Sequence, residues 1–320
     1  MDASESAAPS GVVGVDIGGT KTHVALGVDG VIQREGFVRT STWRSRSAEL
    51  VTGETSNRAV AEYTAKALRG LVLDLLGADA LDRPVAVGAH GCDNTQQCLD
   101  LQREIGRYFT GAVLVVNDAE LMPPAMGLPG GIGMVAGTGS IAVARDAEGR
   151  LVTAGGWGWV LGDEGSAAGI VREAVKASLG QLDRGRADDP LTQKMLTAFG
   201  ATDGAELAMA VTHSNSADWW GSHAELVFTA ADEGSAVATR VLAEAGAQLA
   251  GLIDRLAARG VRAGQVVAGG AVIQKQPRLR GAVAAALATA HPDVTLTVLD
   301  RQPIYGALAL ADRATPLSTL

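Results

Sequence analysis

The sequence predicts an α/β fold in which two domains with mixed sheets flank an interdomain cleft. A chain of 320 residues with 47% apolar and 19% charged residues is globular and suits two medium-sized domains. A strand, a glycine-rich turn and a second strand occur twice, near residues 18–20 and 137–140, and alternating helices and strands follow each time. We interpret this repeat as an internal duplication, whose halves face each other across a cleft where ligands usually bind.

The first half begins with a β-hairpin. Short apolar strands run from Val12, and Asp29-Gly30 between alternating strands predicts the hairpin turn. Apolar residues at helical spacing predict a helix over 57–77. The predicted elements that follow are a strand at 85–90, a helix at about 95–108 and a strand at 112–118. This order predicts a mixed sheet covered by helices.

The second half repeats the strand–turn–strand opening over 131–156. The elements predicted after it are helices at about 164–180 and 235–258, a strand at 265–270, a helix at 278–289, a strand at 294–300 and a last helix from about 304. Prolines and glycines interrupt regular structure between 118 and 131 and predict a boundary there. We assign 11–118 plus 304–320 to an N-terminal domain, and 119–303 to a C-terminal domain with a helical insert at about 181–235.

The composition argues against several classes of partner. A net charge of −8 disfavours nucleic acid, because phosphate backbones attract a surplus of Lys and Arg. Gly or charged residues break the apolar stretches, so we expect no membrane span, and the first ten residues do not have the pattern of a signal peptide. The two cysteines, Cys92 and Cys98, are too few for a disulfide framework or a four-cysteine zinc site. We expect a cytoplasmic protein with reduced thiols.

The first glycine turn follows a strand that ends near Asp16. Glycine lets backbone N–H groups approach phosphate oxygens closely, and hydroxyl and ammonium groups add donors. The carboxylate of Asp16 can hold Mg²⁺, directly or through water, although the GxxxxGK[ST] spacing of a P-loop is absent. We assign phosphate binding to five residues of this turn: Gly18, Gly19, Thr20, Lys21 and Thr22.

The second glycine turn suits the same task from the other half of the chain. Its predicted phosphate-binding residues are Gly137, Thr138, Gly139 and Ser140. A later strand ends in Gly269 and Gly270 and leaves a flat backbone surface, against which a purine ring can lie. We therefore predict a purine nucleotide as the ligand and Mg²⁺ as its metal.

Two further segments carry candidate catalytic and sugar-binding groups. Asp118 follows a predicted strand, where its carboxylate can accept the proton of an attacking hydroxyl. The segment 155–166 places an aromatic pair, glycines and two carboxylates before a helix. Sugars are commonly held by carboxylates that accept pairs of hydroxyl hydrogen bonds, so Asp163 and Glu164 make this segment a candidate sugar site. We assign no role to His90 or to the segment His213–Trp220.

Together these motifs resemble the actin-like sugar kinase superfamily, and within it the N-acetylglucosamine kinases and their BadF/BadG-type ATPase relatives. The resemblance covers about 12–312, and its most specific part is GTGS at 137–140 with GGWGWVLGDEGSA at 155–167. It implies actin-like (ribonuclease H-like) domains, a late helix that returns to the first domain, ATP as the nucleotide, phosphorylation of a sugar 6-hydroxyl with Asp118 as base, and a homodimer. It also places Gly156, Trp157 and Asp163 at the sugar. The full set of residues that we expect to bind the sugar is Asp93, Gly156, Trp157, Asp163 and Glu164.

The chain departs from the family pattern where the sugar would bind. Ile141 stands where N-acetylglucosamine kinases usually carry Asn, and the first-domain sugar segment reads Thr40-Ser41-Thr42-Trp43-Arg44. The CxCGxxGC zinc element of the ROK sugar kinases is missing. Because a free ammonium group prefers carboxylates, an acid-rich pocket favours glucosamine over N-acetylglucosamine. The acidic residues concerned are Asp93, Asp118, Glu120, Asp163 and Glu164.

Two alternatives come from other functional classes. Some BadF/BadG-type relatives activate electron transfer with an iron–sulfur cluster between two subunits, and Cys92 and Cys98 supply two thiols per chain. The tryptophan-rich segment favours a sugar site instead. A sugar-sensing regulator would need a DNA-binding domain, for which we expect no room before the first strand.

Overall fold

The structure is a computed structural model and describes residues 11–43, 57–213 and 216–314. The chain divides into two compact units. Unit 1 comprises Met1–Gly131, Gly149–Leu151 and Asp300–Leu320, and unit 2 comprises Ile132–Glu148 and Val152–Leu299.

The first stretch of unit 1 forms a five-stranded sheet with helices. Its elements are β1 (Val12–Ile17), β2 (Lys21–Val28), β3 (Val31–Arg39), α1 (Asn57–Leu76), a 3₁₀ helix (Ala78–Asp82), β4 (Val85–Ala89), α2 (Thr95–Ile105), β5 (Val113–Val116), a 3₁₀ helix (Asp118–Leu121) and α3 (Met122–Ala125). The strand order is β3-β2-β1-β4-β5. Strand β1 is antiparallel to β2 and parallel to β4, so the sheet is mixed.

Unit 2 repeats this arrangement and inserts helices. Its elements are β6 (Ile132–Ala136), β7 (Ser140–Arg145), β8 (Leu151–Gly155), α4 (Ala167–Leu182), α5 (Pro190–Ala198), α6 (Gly204–Thr212), α7 (Ala217–Gly221), α8 (Ala224–Asp232), α9 (Ala236–Ala257), β9 (Gln265–Gly269), α10 (Ala271–Lys275), α11 (Pro277–Ala290) and β10 (Thr295–Val298). The strand order is β10-β9-β6-β7-β8. Strand β6 is antiparallel to β7 and parallel to β9. Strand β1 has the same relation to β2 and β4.

These two sheets confirm the predicted α/β class. Each contains an antiparallel hairpin beside parallel strands, and each has five strands in the same topological order. The apolar residues on the inward faces of unit 2 form one large core that includes Met134, Val171 and Leu249. The repeat of topology is what the two strand–glycine–strand segments predicted.

The last helix, α12 (Ile304–Ala311), returns to the first sheet and packs against β1 and β4. Its Ile304 and Ala307 share a buried cluster with Ala25 and Leu121. We predicted that the first domain ends at residue 118, whereas unit 1 continues to Gly131. The reason is that the 3₁₀ helix after β5 packs on β4, and α3 packs on α12.

Helix α9 is the one described helix that is long and apolar enough to cross a membrane by length and composition. Its most apolar window has a mean hydropathy of 1.2, and 56% of that window is buried inside the protein. The buried residues of α9, among them Val241, Leu249 and Ile253, belong to the core of unit 2. We therefore interpret α9 as a core helix.

Candidate active site

The first glycine turn joins β1 to β2 in unit 1. The backbone N–H of Gly18 donates to the carbonyl of Lys21 across 3.0 Å and closes the turn. Gly19, Thr20 and Lys21 are exposed at its tip. A tip of this kind presents backbone N–H groups, a hydroxyl and an ammonium group to solvent, which is the donor set that a phosphate needs.

Two threonine hydroxyls and an indole hold the turn from behind. Thr22 Oγ1 lies 3.0 Å from Thr40 Oγ1, and Thr40 Oγ1 donates to the carbonyl of Gly18 across 2.8 Å. Trp43 Nε1 donates to Thr22 Oγ1 across 3.2 Å. We predicted Thr22 as a phosphate ligand, but its side chain is fully buried in this network. The structure therefore gives the Thr22 hydroxyl a bracing role and leaves Thr20 as the exposed hydroxyl.

An acid pair stands beside this turn. Burial, followed by the negative charge of Asp118, raises the pKa of Asp16 to about 7, and the charge of Lys21 acts in the opposite direction. Two carboxylates close enough to perturb each other favour a cation between or beside them. Among the described residues, no group of three or more His, Cys, Asp and Glu side chains could hold a metal alone. The two carboxylates of Asp16 and Asp118 fit Mg²⁺, because this ion needs few protein ligands when it keeps several waters and binds nucleotide oxygens.

Asp118 lies at the start of the 3₁₀ helix after β5, with its side chain 26% exposed. Its Oδ1 accepts the backbone N–H of Ala119 across 3.1 Å. Its Oδ2 lies 3.6 Å from His90 Nδ1, and the His90 ring also lies beside Gly19. The sequence alone did not indicate a role for His90. The only signal available was its position directly after β4, at the strand end that neighbours β1.

The neighbours of Asp118 are committed to the local fold. The Asn117 side chain caps the 3₁₀ helix, and the Glu120 side chain accepts the backbone N–H of Asn117 across 2.9 Å. Asn117 Nδ2 donates to the carbonyl of Cys92 across 3.0 Å and to Asp93 Oδ1 across 3.4 Å. Asp93 itself is exposed, so it can still accept hydrogen bonds from a ligand.

Both cysteines are buried in unit 1. Cys98 Sγ lies 3.9 Å from the carbonyl of Cys92, in hydrogen-bonding geometry for a thiol donor. A cluster shared between two subunits needs thiolates at a surface, and neither sulfur lies there. The structure therefore does not support the iron–sulfur alternative.

The second glycine turn joins β6 to β7 in unit 2. The backbone N–H of Gly137 donates to the carbonyl of Gly139 across 2.9 Å, and Thr138 is exposed at the tip. Ser140 is buried, and its hydroxyl donates to the carbonyl of Glu164 across 2.8 Å. We predicted Ser140 as a phosphate ligand, but the structure commits its hydroxyl to holding the turn, as it does for Thr22.

Asp163 supports the second turn through its carboxylate, which accepts the backbone N–H groups of Ser140 and Gly158. A Cβ on Gly139 would lie 3.0 Å from Asp163 Oδ2, so this carboxylate is directly behind the turn. Burial, and then the charge of Glu164, raise the pKa of Asp163, while the two backbone donors lower it. Asp163 also adopts a left-handed backbone with φ of 55°, which Asp tolerates better than most residues.

Glu164 also borders a pocket in unit 2. This pocket, of about 260 Å³, lies between α4 and α9 and is lined as well by Arg172, Glu173, Lys176 and Glu244. We predicted that Asp163 and Glu164 both bind the sugar. Glu164 thus lines this pocket, and its charge still raises the pKa of Asp163.

The tryptophan pair of the glycine-rich loop is split. Trp157 is 73% exposed, whereas Trp159 packs on Trp220 with ring centroids 5.5 Å apart. Arg172 holds the same loop by donating to the carbonyls of Trp159 and Gly162. Gly156 lies against Ile141, since a Cβ there would come within 2.9 Å of Ile141 Cδ1. The contacts of Arg172 thus hold the loop that exposes Trp157. Within the 213–220 segment, Trp220 packs against Trp159. Ser214 and Asn215 of that segment lie outside the described residues.

The segment that we assigned to the purine adjoins the second turn. Gly270 has φ of 101°, and a Cβ on it would lie 2.6 Å from the carbonyl of Ala136 and 2.9 Å from the backbone N of Gly137. Only glycine permits this approach. Gly269 ends β9 beside β6 and is buried. The structure therefore brings the predicted purine segment and the predicted phosphate turn of unit 2 together.

Comparison with known proteins identifies relatives. The chain is 34% identical over 178 residues to an N-acetylmuramic acid/N-acetylglucosamine kinase of Clostridium acetobutylicum, a match that spans 54% of this chain and 55% of that protein. The matched region thus covers about half the length of that relative. It is 24% identical over 249 residues to the N-acetyl-D-glucosamine kinase of Dictyostelium discoideum, covering 76% of this chain and 77% of that protein.

Solved structures and a family description agree with the fold. A Chromobacterium violaceum protein, named provisionally as an N-acetylglucosamine kinase, superposes with a TM-score of 0.63 at 23% identity, over 95% of this chain and 99% of that chain. At this identity the likeness establishes the fold alone. The model of the BadF/BadG/BcrA/BcrD ATPase family matches residues 13–311, nearly the whole chain. This chain belongs to the BadF/BadG/BcrA/BcrD ATPase family.

Proposed function

We propose that the protein is an ATP-dependent kinase that phosphorylates the 6-hydroxyl of an amino sugar. One observation carries the proposal: a partly exposed carboxylate, Asp118, lies beside the glycine turn that bears Lys21 and next to the acidic Asp16. A base, a phosphate turn and a metal-binding carboxylate at one sheet edge are the parts that phosphoryl transfer to a hydroxyl requires. The names of the relatives agree with a sugar as acceptor.

In the proposed reaction, Asp118 accepts the proton of the sugar hydroxyl through Oδ2, while the Ala119 N–H holds Oδ1. The hydroxyl oxygen attacks the γ-phosphorus, the bond to the β,γ-bridging oxygen breaks, and ADP leaves. Lys21, Thr20 and the turn amides offset the negative charge of the phosphates. Mg²⁺, held by Asp16, supplies further charge neutralisation when it is bound. Positioning and charge neutralisation provide most of the acceleration in this chemistry.

Unit 2 supplies the other predicted contacts. The exposed Thr138 and the amides of the second turn are its candidate phosphate donors, and the Gly269–Gly270 surface is its candidate purine contact. The exposed Trp157, with Gly156 and the Asp163 carboxylate, forms the candidate sugar surface. Asp93 of unit 1 remains a candidate sugar ligand.

The substituent on the sugar nitrogen decides the exact substrate. Our argument for glucosamine depended on five acidic side chains, but Glu120 is committed to a helix cap and Glu164 lines another pocket. Fewer carboxylates are left for an ammonium group. Ile141 beside Gly156 is an apolar surface, which suits an acetamide methyl group better than a charge. We therefore propose N-acetylglucosamine as the preferred substrate. Glucosamine is the second candidate, because the carboxylates of Asp93 and Asp118 are still accessible to an ammonium group.

The test compares ADP release with Mg-ATP on N-acetylglucosamine, glucosamine, N-acetylmuramic acid, mannosamine and glucose. We expect the highest kcat/KM with N-acetylglucosamine. A preference for glucosamine would keep the kinase and reverse the choice of substituent. If no sugar raises ADP release above that of the Asp118→Asn variant, the kinase proposal is wrong. The homodimer and the cytoplasmic location stay predictions.

A further inference from the structure

One face of the β2–β3 hairpin carries a row of four interacting side chains. The Nζ of Lys21 lies 3.5 Å from the centroid of the Phe37 ring. The His23 ring stacks on the same Phe37 ring, with centroids 3.9 Å apart and an interplanar angle of 28°. His23 Nε2 lies 2.8 Å from Glu35 Oε2. The row therefore runs from the first glycine turn along the hairpin as Lys21, Phe37, His23, Glu35.

The strand register produces this row. His23 of β2 is paired directly with Phe37 of the antiparallel β3, and Lys21 lies two residues before His23 on the same face. Thr22, between them, points to the opposite face, where it meets Thr40 and Trp43. The two faces of β2 thus differ. One carries Thr22, which braces the first glycine turn, and the other carries Lys21, the lysine of that turn.

Phe37 is not a core residue. It is 42% exposed, and β3 is the edge strand of the sheet. The face of an aromatic ring attracts an ammonium group, and a lysine otherwise samples many rotamers on its long stem. Phe37 therefore restricts where the Lys21 charge can be.

At the other end of the row, His23 and Glu35 hold the Phe37 ring in place. Burial lowers the pKa of His23, although its hydrogen bond to Glu35 acts in the opposite direction. A neutral His23 stacks on Phe37 without repelling the nearby ammonium group of Lys21. The Lys21 charge also reaches the turn, since it lowers the pKa of Asp16.

We propose that Phe37 is a positioning residue that holds the Lys21 ammonium group beside the first glycine turn, in place for a nucleotide phosphate. The proposal rests on the proposed kinase function, because it gives Lys21 a phosphate to meet. Phe37 itself touches no substrate. Its effect passes through Lys21 alone, and this makes the inference testable by a double-mutant cycle.

The experiment measures the Kd of Mg-AMPPNP by calorimetry without sugar, so that turnover is not needed. Phe37→Leu keeps an apolar side chain and removes the π face, and we expect Kd to rise about threefold, the size of an exposed cation–π contact. Phe37→Trp keeps the π face and should retain the wild-type Kd. Val31→Ala, at another exposed apolar residue of β3, is the matched control and should change nothing.

The cycle separates positioning from a general structural effect. In a Lys21→Met background, Phe37→Leu should have no further effect on Kd. If Phe37→Leu weakens binding equally with and without Lys21, or if Phe37→Trp fails to restore it, the inference is overturned. If Lys21→Met weakens binding but Phe37→Leu does not, only the Phe37 role fails. If the wild-type chain binds no AMPPNP, both the proposed kinase function and the role of Phe37 are wrong.

Discussion

The two glycine turns occupy equivalent places in sheets of the same topology, but different groups hold them. The first is braced by side chains that follow it in the hairpin, Thr22, Thr40 and Trp43. The second is braced by a loop that follows β8, through the Asp163 carboxylate and the carbonyl of Glu164. In both, one hydroxyl is exposed at the tip and another is buried behind it. The comparison indicates that the duplicated fold preserves the turn, whereas each half supplies its own support.

The supports also differ in electrostatics. Unit 1 places the acidic Asp16 and Asp118 beside the turn that carries the cationic Lys21. Unit 2 places one acid, Asp163, behind its turn, where the carboxylate accepts two backbone N–H groups. The proposed function therefore gives proton transfer and metal binding to unit 1, and the shape and orientation of the site to unit 2. The predictions below test that division.

The largest effect should come from Asp118→Asn. An amide cannot accept the hydroxyl proton, so kcat should fall by about a thousandfold, while the unfolding midpoint stays near wild type. Steady-state kinetics with saturating Mg-ATP and sugar measure it. The matched control is Asp100→Asn on α2, whose carboxylate pairs with Gln96 and Arg103. A variant that retains more than about a tenth of wild-type kcat would rule out Asp118 as the base.

Asp163→Ala should break the second turn without touching the first. It leaves the N–H groups of Ser140 and Gly158 without their acceptor, which costs about 1–3 kcal/mol of stability. We expect kcat/KM for the sugar to fall by about a hundredfold, mostly through KM, since the loop that carries Trp157 loses its anchor. Glu164→Gln is the control and should change kcat/KM by less than about threefold. Equal losses in both variants would contradict the separate role of Asp163 as the support of the second turn.

Asp16→Asn tests the acid pair through pH and stability. Because the pKa of Asp16 is raised to about 7, folding favours its protonated form, and the wild type loses stability as pH rises between the unfolded value and 7. Without Mg²⁺ and nucleotide, Asp16→Asn should therefore be more stable than wild type at pH 8, by about 2–4 kcal/mol, and equal to it near pH 3. Urea unfolding at both pH values measures the difference. A stability difference that does not depend on pH would disprove the assignment.

The smallest effects should come from the two buried hydroxyls. Thr22→Val and Ser140→Ala each remove a hydrogen bond behind a turn, and each should cost about 1 kcal/mol of unfolding free energy. Thr22→Val should raise the nucleotide Kd a few-fold, because the phosphate tip loses its brace. Thr42→Val, at an exposed hydroxyl that bonds only the carbonyl of Arg39 among the described contacts, is the control. If Thr22→Val abolished binding altogether, Thr22 would be a direct ligand, as the sequence first suggested.

The sequence predicted the fold well because periodicity and glycine turns are local signals. The helix predicted over 57–77 is Asn57–Leu76, and the one predicted over 235–258 is Ala236–Ala257. The supports of the site could not be predicted in the same way. Thr40 and Trp43 meet Thr22 only because of the hairpin register, and His90 meets Asp118 only because β4 and β5 are neighbours. Asp163 accepts the backbone N–H groups of Ser140 and Gly158 from a left-handed backbone conformation, which the sequence does not reveal.

Trp43 gives the first turn an optical label. Of the five tryptophans, Trp157, Trp159, Trp219 and Trp220 lie in unit 2, and only Trp43 lies in unit 1. Its indole N–H donates to the hydroxyl that braces the turn. A chain with the four unit 2 tryptophans changed to Phe would therefore emit from this position alone. Its emission wavelength would report changes at the first turn in solution, and no tryptophan signal would come from the second turn.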